Sequence, residues 1–287
     1  MSKKDKKSSE KLCGKEGFET YYSALFKERW PALKNALFAE NVYARIFHKD
    51  CEEYFLDPAS VFAAMCLPLE NSERILDMCA APGGKSLVIA SRMPEDATLL
   101  SNERSPQRKK RLTQVIENSL PQEIKKRITV TCSDAAKMCI KQTEVYDRIL
   151  LDAPCSSERH VLSDEKYLAE WSPSRIKSLS MEQWALLSSA YRLLVPGGYL
   201  LYSTCALCPC ENDDVVARLF KKFDDVELVF AYDEPKILNQ FDFCKMDIMP
   251  VPERTKYGFH ILPDQKEKCG PIWFTLIKKT VKNDAEI

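Results

Sequence analysis

The sequence predicts an α/β fold: a doubly wound, mostly parallel, seven-stranded sheet with a small N-terminal helical lobe in front of it. Three observations predict it. Short runs apolar on both faces, such as Asp147-Arg-Ile-Leu-Leu-Asp152, recur from residue 74 onward and alternate with helical stretches. Strands of that kind are buried on both faces, as in parallel sheets covered by helices. Glycine, proline and acidic residues follow directly after the runs, where ligands of such sheets bind.

Residues 1–16 are polar and lysine-rich and are expected to form a disordered basic arm. Residues 17–70 read as the helical lobe. Phe18, Tyr21, Tyr22, Leu25 and Phe26, then Trp30, Leu33 and Leu37, fall at helical spacing, and Pro31 divides them into two short helices. Asp57-Pro58-Ala59-Ser60 starts a further helix, with proline near its first turn. The main domain spans 71–287. Its strands are expected near 74–78, 97–102, 128–132, 147–152 and 198–203, with weaker ones near 226–230 and 272–278. Residues 232–271 hold Pro235, Pro250, Pro252, Gly258, Pro263 and Gly270, which suggests a long connection over one sheet edge.

The chain has 287 residues, 45% hydrophobic and 29% charged. Such a chain is neither disordered nor fibrous. Its longest apolar runs fall far short of the ~20 residues that span a bilayer. Lys+Arg and Asp+Glu are both 42, so the total charge says little about partners. The start, Met-Ser-Lys-Lys-Asp-Lys-Lys, has no apolar segment after it, and its acidic residue and lack of arginine make a poor mitochondrial presequence. With 12 cysteines in a chain too long for a disulfide scaffold, the expectation is a reducing compartment, the cytoplasm, and free thiols.

Four features fall at the strand ends. Asp77-Met-Cys-Ala-Ala-Pro-Gly-Gly-Lys85 follows the first strand, and Pro82-Gly83-Gly84 makes a tight turn that lets backbone approach a ligand. The segment is no phosphate loop: the Walker pattern needs glycine where Cys79 stands, and Gly-x-Gly-x-x-Gly is absent. Glu103 ends the second strand and suits two ribose hydroxyls. Asp134 follows the third, towards an adenine amino edge, and Asp152 ends the fourth. Together they suit an adenosine ligand with a charged, non-phosphate tail, as in S-adenosylmethionine. Asp152-Ala-Pro-Cys155 and Tyr202-Ser-Thr-Cys205 end neighbouring central strands, so both thiols face the ligand end.

These three motifs, in this order and spacing, resemble the RNA cytosine-5 methyltransferases of the Sun (Fmu) type, over roughly residues 50–280. Asp152-Ala-Pro-Cys-Ser-Ser-Glu-Arg-His160 and Gly270-Pro-Ile-Trp-Phe are most like the compact members, including the mitochondrial ones. The resemblance implies a Rossmann-like, S-adenosylmethionine-dependent enzyme acting on RNA, ribosomal RNA in preference to transfer RNA. It implies Cys205 as the nucleophile that adds to carbon 6, Cys155 as the thiol that aids product release, and Asp152 as the group on the base edge. Lys85 would lower a nearby thiol pKa or contact the base. Cofactor contacts carry over to Cys79, Ala80, Ala81, Pro82, Gly83, Gly84, Lys85, Glu103, Asp134 and Asp152, and to Arg108 from the compact members alone.

An RNA substrate needs a basic track. Residues 104–127 hold eight basic residues against two acidic ones, and Lys109, Lys110 and Arg111 are its centre. Arg29, Arg45 and Lys49 would extend it. The chain is expected to be a monomer, with a protein partner supplying RNA affinity left open. Cys205-x-x-Cys208-x-Cys210 lacks a clear fourth zinc ligand, so no metal is expected; Glu211-Asn212 reads instead as the start of a helix. A catalytically silent RNA-binding assembly factor on the same fold is the alternative function.

Overall fold

The computed structural model describes residues 12–229 and 242–281. The arm up to residue 11, the segment 230–241 with Pro235, and the last residues lie outside them. In chain order, α1 (Gly14–Phe26) and α2 (Trp30–Phe38) are joined by one 3-10 turn, with Pro31 in the first turn of α2. Helix α1 includes the last three residues of the stretch read as an arm. Two short strands follow, β1 (Ala44–Ile46) and β2 (Tyr54–Leu56), so residues 17–70 are not wholly helical. Helix α3 (Pro58–Met65) is capped by the Asp57 carboxylate on the Ala59 amide at 2.8 Å.

The α/β part then runs β3 (Arg74–Asp77), α4 (Gly84–Ala90), β4 (Thr98–Asn102), α5 (Pro106–Ser119), α6 (Gln122–Lys125), β5 (Ile128–Thr131), β6 (Tyr146–Asp152), α7 (Glu158–Ser163), α8 (Glu165–Ala169), α9 (Pro173–Leu193), β7 (Leu194–Thr204), α10 (Asp213–Lys222) and β8 (Val226–Val229). Four short or terminal strands complete it: β9 (Cys244–Lys245), β10 (Glu253–Arg254), β11 (Phe259–Ile261) and β12 (Ile272–Lys279).

All seven expected strands occur and lie in one sheet, with β5-β4-β3-β6-β7 mutually parallel and β12 antiparallel to β7. Strand β8 pairs with the C-terminal half of β12. The sheet is wider than expected, nine strands among the described residues, because β11 and β10 continue past the start of β12. The region expected to be an irregular connection therefore carries sheet. Its β9 also pairs with β1, which pairs with β2, as a separate three-stranded sheet.

Alternation along each strand feeds two cores. Ile75, Leu150, Leu201 and Phe274 pack with α3, α4 and α5 on one face. Leu76, Ile149, Leu151, Leu200, Tyr202 and Trp273 pack with α9 and α10 on the other. A third, aromatic core seats the first two helices: Phe18, Tyr22, Trp30 and Trp171 are all fully or nearly buried, with Tyr22 and Trp30 stacked at 5.3 Å.

Arg29 does not extend a basic track. Its guanidinium is bidentate to Glu253 (2.6 and 2.6 Å) and to Asp264 (2.6 and 2.8 Å), clamping the connection between α1 and α2 to the β10 edge. Arg45 is likewise paired, with Glu53 at 2.9 Å. Hydrogen bonds from Arg29 hold the Glu253 carboxyl below its ordinary value, against burial. That contribution to stability is present above the ordinary carboxylate range and is lost as pH falls through the lowered value. Arg29→Ala leaves the buried Asp264 unpaired and is expected to cost about 1–2 kcal/mol, the partial exposure of the arginine keeping it modest. Urea denaturation of both chains at neutral and acid pH checks this: the gap between them narrows in acid.

Candidate active site

Strand order reverses beside β3, between β4 and β6, and the cleft opens beyond the carboxyl ends of these strands. Every residue expected at the site except the basic cluster is brought here. Gly83 stands at φ +124°, a conformation open to glycine, and its carbonyl starts α4. It forms the turn but not the wall. Cys79, Ala80, Ala81, Pro82, Gly84, Lys85 and Asp152 line one narrow groove, together with Asp77. Cys79, Glu103, Arg108 and Asp134 line a second groove that meets the first at Cys79.

Glu103 is buried, accepts the Ser105 amide at 2.8 Å and lies 3.4 Å from Arg108. Arg108 also donates to the Ala81 carbonyl at 2.7 Å, so it ties the glycine-bearing turn to the tip of β4. Asp134 caps the turn after β5 by accepting the Ala136 amide. Asp77 was not singled out from sequence, yet it carries the sharpest signal in this groove. Its Oδ2 accepts from Ser86 at 2.6 Å, while Oδ1 is buried with no partner among the described residues. Burial lifts the Asp77 carboxyl to about 7, against the Ser86 hydrogen bond and with help from the Asp152 charge. An ammonium would satisfy that oxygen and reverse the shift.

A larger cleft of about 640 Å³ lies on the other side of Asp152. Lys85 and Asp152 form its floor, 2.8 Å apart, and Ser203 donates to the second Asp152 oxygen at 2.8 Å. Burial opposes charge on Lys85, but the Asp152 carboxylate, with Cys205 and Asp77 adding to it, holds the ammonium pKa above its ordinary value. The Sγ atoms of Cys155 and Cys205 are 2.9 Å apart on the same floor. Ser157, left-handed at φ 54°, brings its hydroxyl 3.1 Å from Cys205 Sγ. The Cys155 thiol is held well above the ordinary value, first by its hydrogen bond to Cys205 and then by burial.

Sequence reasoning missed several members. Asp57 and Ser60 from the segment before and within α3, Arg159, His160 and the Gly270 turn all wall the cleft. Arg159 spans it, donating to Asn41 and to the Gly270 carbonyl at 2.7 Å each. Its place after the Pro-Cys motif was the available signal. Lys109, Lys110 and Arg111 lie on α5 and do not line this cleft. Within the basic stretch, Lys125 pairs with Glu117 and Arg127 donates to the carbonyls of Pro94 and Ala97, so these two are structural.

The fold is that of S-adenosylmethionine-dependent methyltransferases. The family model described as 16S rRNA methyltransferase RsmB/F matches residues 64–262, and the chain belongs to that family. Over 227 residues it is 33% identical to the tRNA (cytosine(34)-C(5))-methyltransferase, mitochondrial, of Mus musculus, covering 79% of this chain and 63% of that one. It is 31% identical over 226 residues to the 5-cytosine rRNA methyltransferase NSUN4 of Bos taurus, covering 77% of this chain and 58% of that one. The chain thus spans about three fifths of these relatives. The crystal structure of NSun6 from Pyrococcus horikoshii with SFG shares the fold at TM-score 0.62 and 23% identity, over 82% of this chain and 55% of that one. The expectation of a cytoplasmic protein does not stand: the mouse relative is mitochondrial by name, and the lysine-rich start carries no weight against it.

S-adenosylmethionine is the cofactor of this family, and the residues fit it. The unpaired Asp77 oxygen suits the ammonium of its amino-acid part, and Glu103 and Asp134 offer acceptors for an adenosine. At Gly84, an added Cβ would meet Leu56 at 2.8 Å and Tyr54 at 2.9 Å. Gly84→Ala is therefore expected to push these side chains into the groove and weaken S-adenosylmethionine binding at least tenfold. Asp134→Ala weakens it less, with about 1 kcal/mol of stability lost with the cap. Titration calorimetry separates the two.

Proposed function

We propose that this chain transfers a methyl group from S-adenosylmethionine to carbon 5 of a cytosine in RNA, through a covalent bond between Cys205 and carbon 6. The observation that carries the reading is the pair of thiols 2.9 Å apart on the floor of a cleft that shares Asp152 with the cofactor groove. Carbon 5 of cytosine is a weak nucleophile. Addition of the Cys205 thiolate to carbon 6 moves the ring's electron pair to carbon 5, where it can take a methyl group. The bound cofactor supplies that methyl group as an electrophile. Loss of the carbon-5 proton and cleavage of the carbon–sulfur bond then restore the ring.

The surroundings support this division of labour. Cys155 keeps its proton and can donate it in a hydrogen bond to the Cys205 sulfur, which favours both the attacking and the departing thiolate. Asp152 and Lys85 face the cleft as an ion pair and can hydrogen-bond the base edge, where negative charge collects once sulfur has added. A stacked base cannot reach this floor, so the cytosine must be unpaired or flipped. Lys109, Lys110 and Arg111, beside the Arg108 that touches the cofactor turn, are the phosphate-binding residues in this reading. Ribosomal RNA is favoured by the family description, and transfer RNA is the second reading, carried by the name of the mouse relative. Both sulfurs being present argues against a silent assembly factor.

Cys205→Ala is expected to abolish methylation and to form no adduct. Cys155→Ala should attack and transfer methyl yet release slowly, leaving enzyme covalently joined to RNA. A denaturing gel with substrate RNA decides it: adduct with Cys205→Ala and none with Cys155→Ala would exchange the roles. Activity kept in both would remove cysteine catalysis.

Reversal of Lys109, Lys110 and Arg111 to Glu should weaken RNA binding and flatten its salt dependence by about 0.7 for each single-strand phosphate no longer neutralised. Unchanged affinity and slope would make the cluster a solvated helix face.

A further inference from the structure

Behind the thiols lies a buried group of side chains that the reaction does not use. Glu158 opens α7, three residues after Cys155, and Glu211 lies six residues after Cys205; both are fully buried. The Ser156 hydroxyl sits between them, within hydrogen-bond distance of Oε1 of Glu158 and Oε1 of Glu211. The remaining carboxyl contacts are with uncharged donors. Glu211 Oε2 accepts from the Ser156 amide and from Gln183 Nε2, both at 2.9 Å, and Glu158 accepts from the Leu207 amide at 3.0 Å and from the Tyr22 hydroxyl. The other titratable groups facing the pair are Tyr22 from α1, Tyr202 from β7, and the thiols of Cys155 and Cys208.

The protons do not balance if both acids are ionised. Ser156 has one hydroxyl hydrogen and two carboxyl oxygens against it, so one close oxygen–oxygen contact would lack a proton. One glutamic acid must donate to Ser156 while Ser156 donates to the other. Glu211 is the protonated one: its second oxygen already accepts two N–H groups, which leaves Oε1 free to carry the hydrogen. Burial, and then the Glu158 charge, raise its carboxyl to about 7.

The chain of bonds ties together the two segments that bear the cysteines. Ser156 and Glu158 belong to the Cys155 segment, while the Leu207 amide and Glu211 belong to the Cys205 segment. We propose that Glu158 and Glu211 share one proton through Ser156 and so hold the two thiol-bearing segments together, with Glu211 a positioning residue of the site. This rests on the thiol chemistry proposed above. Loss of the shared proton would set two carboxylates against each other between the segments and part the sulfurs.

The sign follows from the raised carboxyl. Stability from the pair is full below the ordinary carboxylate range and is lost as pH rises through about 7. Glu211→Gln mimics the protonated acid, since its amide can donate to Ser156 and its oxygen can accept from the Ser156 amide and Gln183. The test uses the full chain with S-adenosylmethionine and substrate RNA. Wild type is expected to lose stability between about pH 4.5 and 7 with a linkage approaching one proton, and to show the infrared carbonyl band of a buried carboxylic acid at about pH 6. Its kcat should fall tenfold per pH unit on the alkaline side, with KM unchanged.

Glu211→Gln should lack the band, hold its stability across that range and replace the alkaline fall by a plateau. Glu158→Gln, which removes the neighbouring charge, should move the titration to lower pH. An equal alkaline fall in wild type and Glu211→Gln, or no acid band in wild type, overturns the proposal. A band and a stability slope that behave as expected, in a chain that methylates no RNA at any pH, support the shared proton and overturn the proposed function instead.

Discussion

The site depends on the parallel register of β6 on β7. Asp152 pairs with Ser203 across that register, so the two strands end side by side. Cys155 stands three residues beyond Asp152 and Cys205 two beyond Ser203, which is why thiols 50 residues apart in sequence meet at 2.9 Å. Both strands are buried on both faces, by Leu150 and Leu201 on one and by Ile149, Leu151, Leu200 and Tyr202 on the other. A slip of one residue would turn each core residue to the opposite face. The packing that fixes the register therefore also fixes the distance between the sulfurs.

Asp152 links this pairing to the cofactor side. It is the last residue of β6, and its two oxygens are taken by Lys85, from the first turn of α4, and by Ser203, from β7. Three elements thus converge on one carboxylate: the strand that carries it, the helix that follows the Gly83-Gly84 turn, and the neighbouring strand. Lys85 is buried, and a buried ammonium without a partner is costly. The ion pair keeps its charge and leaves it between groove and cleft.

How much of this was legible in the sequence follows from length and distance. The seven long strands showed themselves because each has at least four residues, enough for an apolar pattern to be read. Strands β1, β2, β9, β10 and β11 have two or three residues each, too few for a period to appear. The strand-tip residues Glu103, Asp134 and Asp152 were legible because strand ends are where this fold binds ligands. Asp77 was harder, since an acid that ends a strand reads like any turn residue until its unpaired oxygen is seen. The clamp of Arg29 joins residues more than 220 positions apart, and nothing near Arg29 signals its partners. Asn212, Asp213 and Asp214 were legible as the start of α10. The buried Glu211 beside them looked like part of the same helix start.

Two thiols at 2.9 Å pose a problem of symmetry, because either could hold the charge that a nucleophile needs. The neighbours break the symmetry. The hydrogen bond to Cys205, burial and the negative charge of Glu158 behind it all favour the protonated form of Cys155. The Lys85 ammonium lies within electrostatic reach of Cys205. The Ser157 hydroxyl, 3.1 Å from Cys205 Sγ, can add a second hydrogen bond to that sulfur. Field and hydrogen bonds thus act in one direction: a proton placed between the sulfurs belongs to Cys155. The proposed order of the two roles, which the motifs supply only by resemblance, is supported by Glu158 standing behind one thiol and Lys85 beside the other.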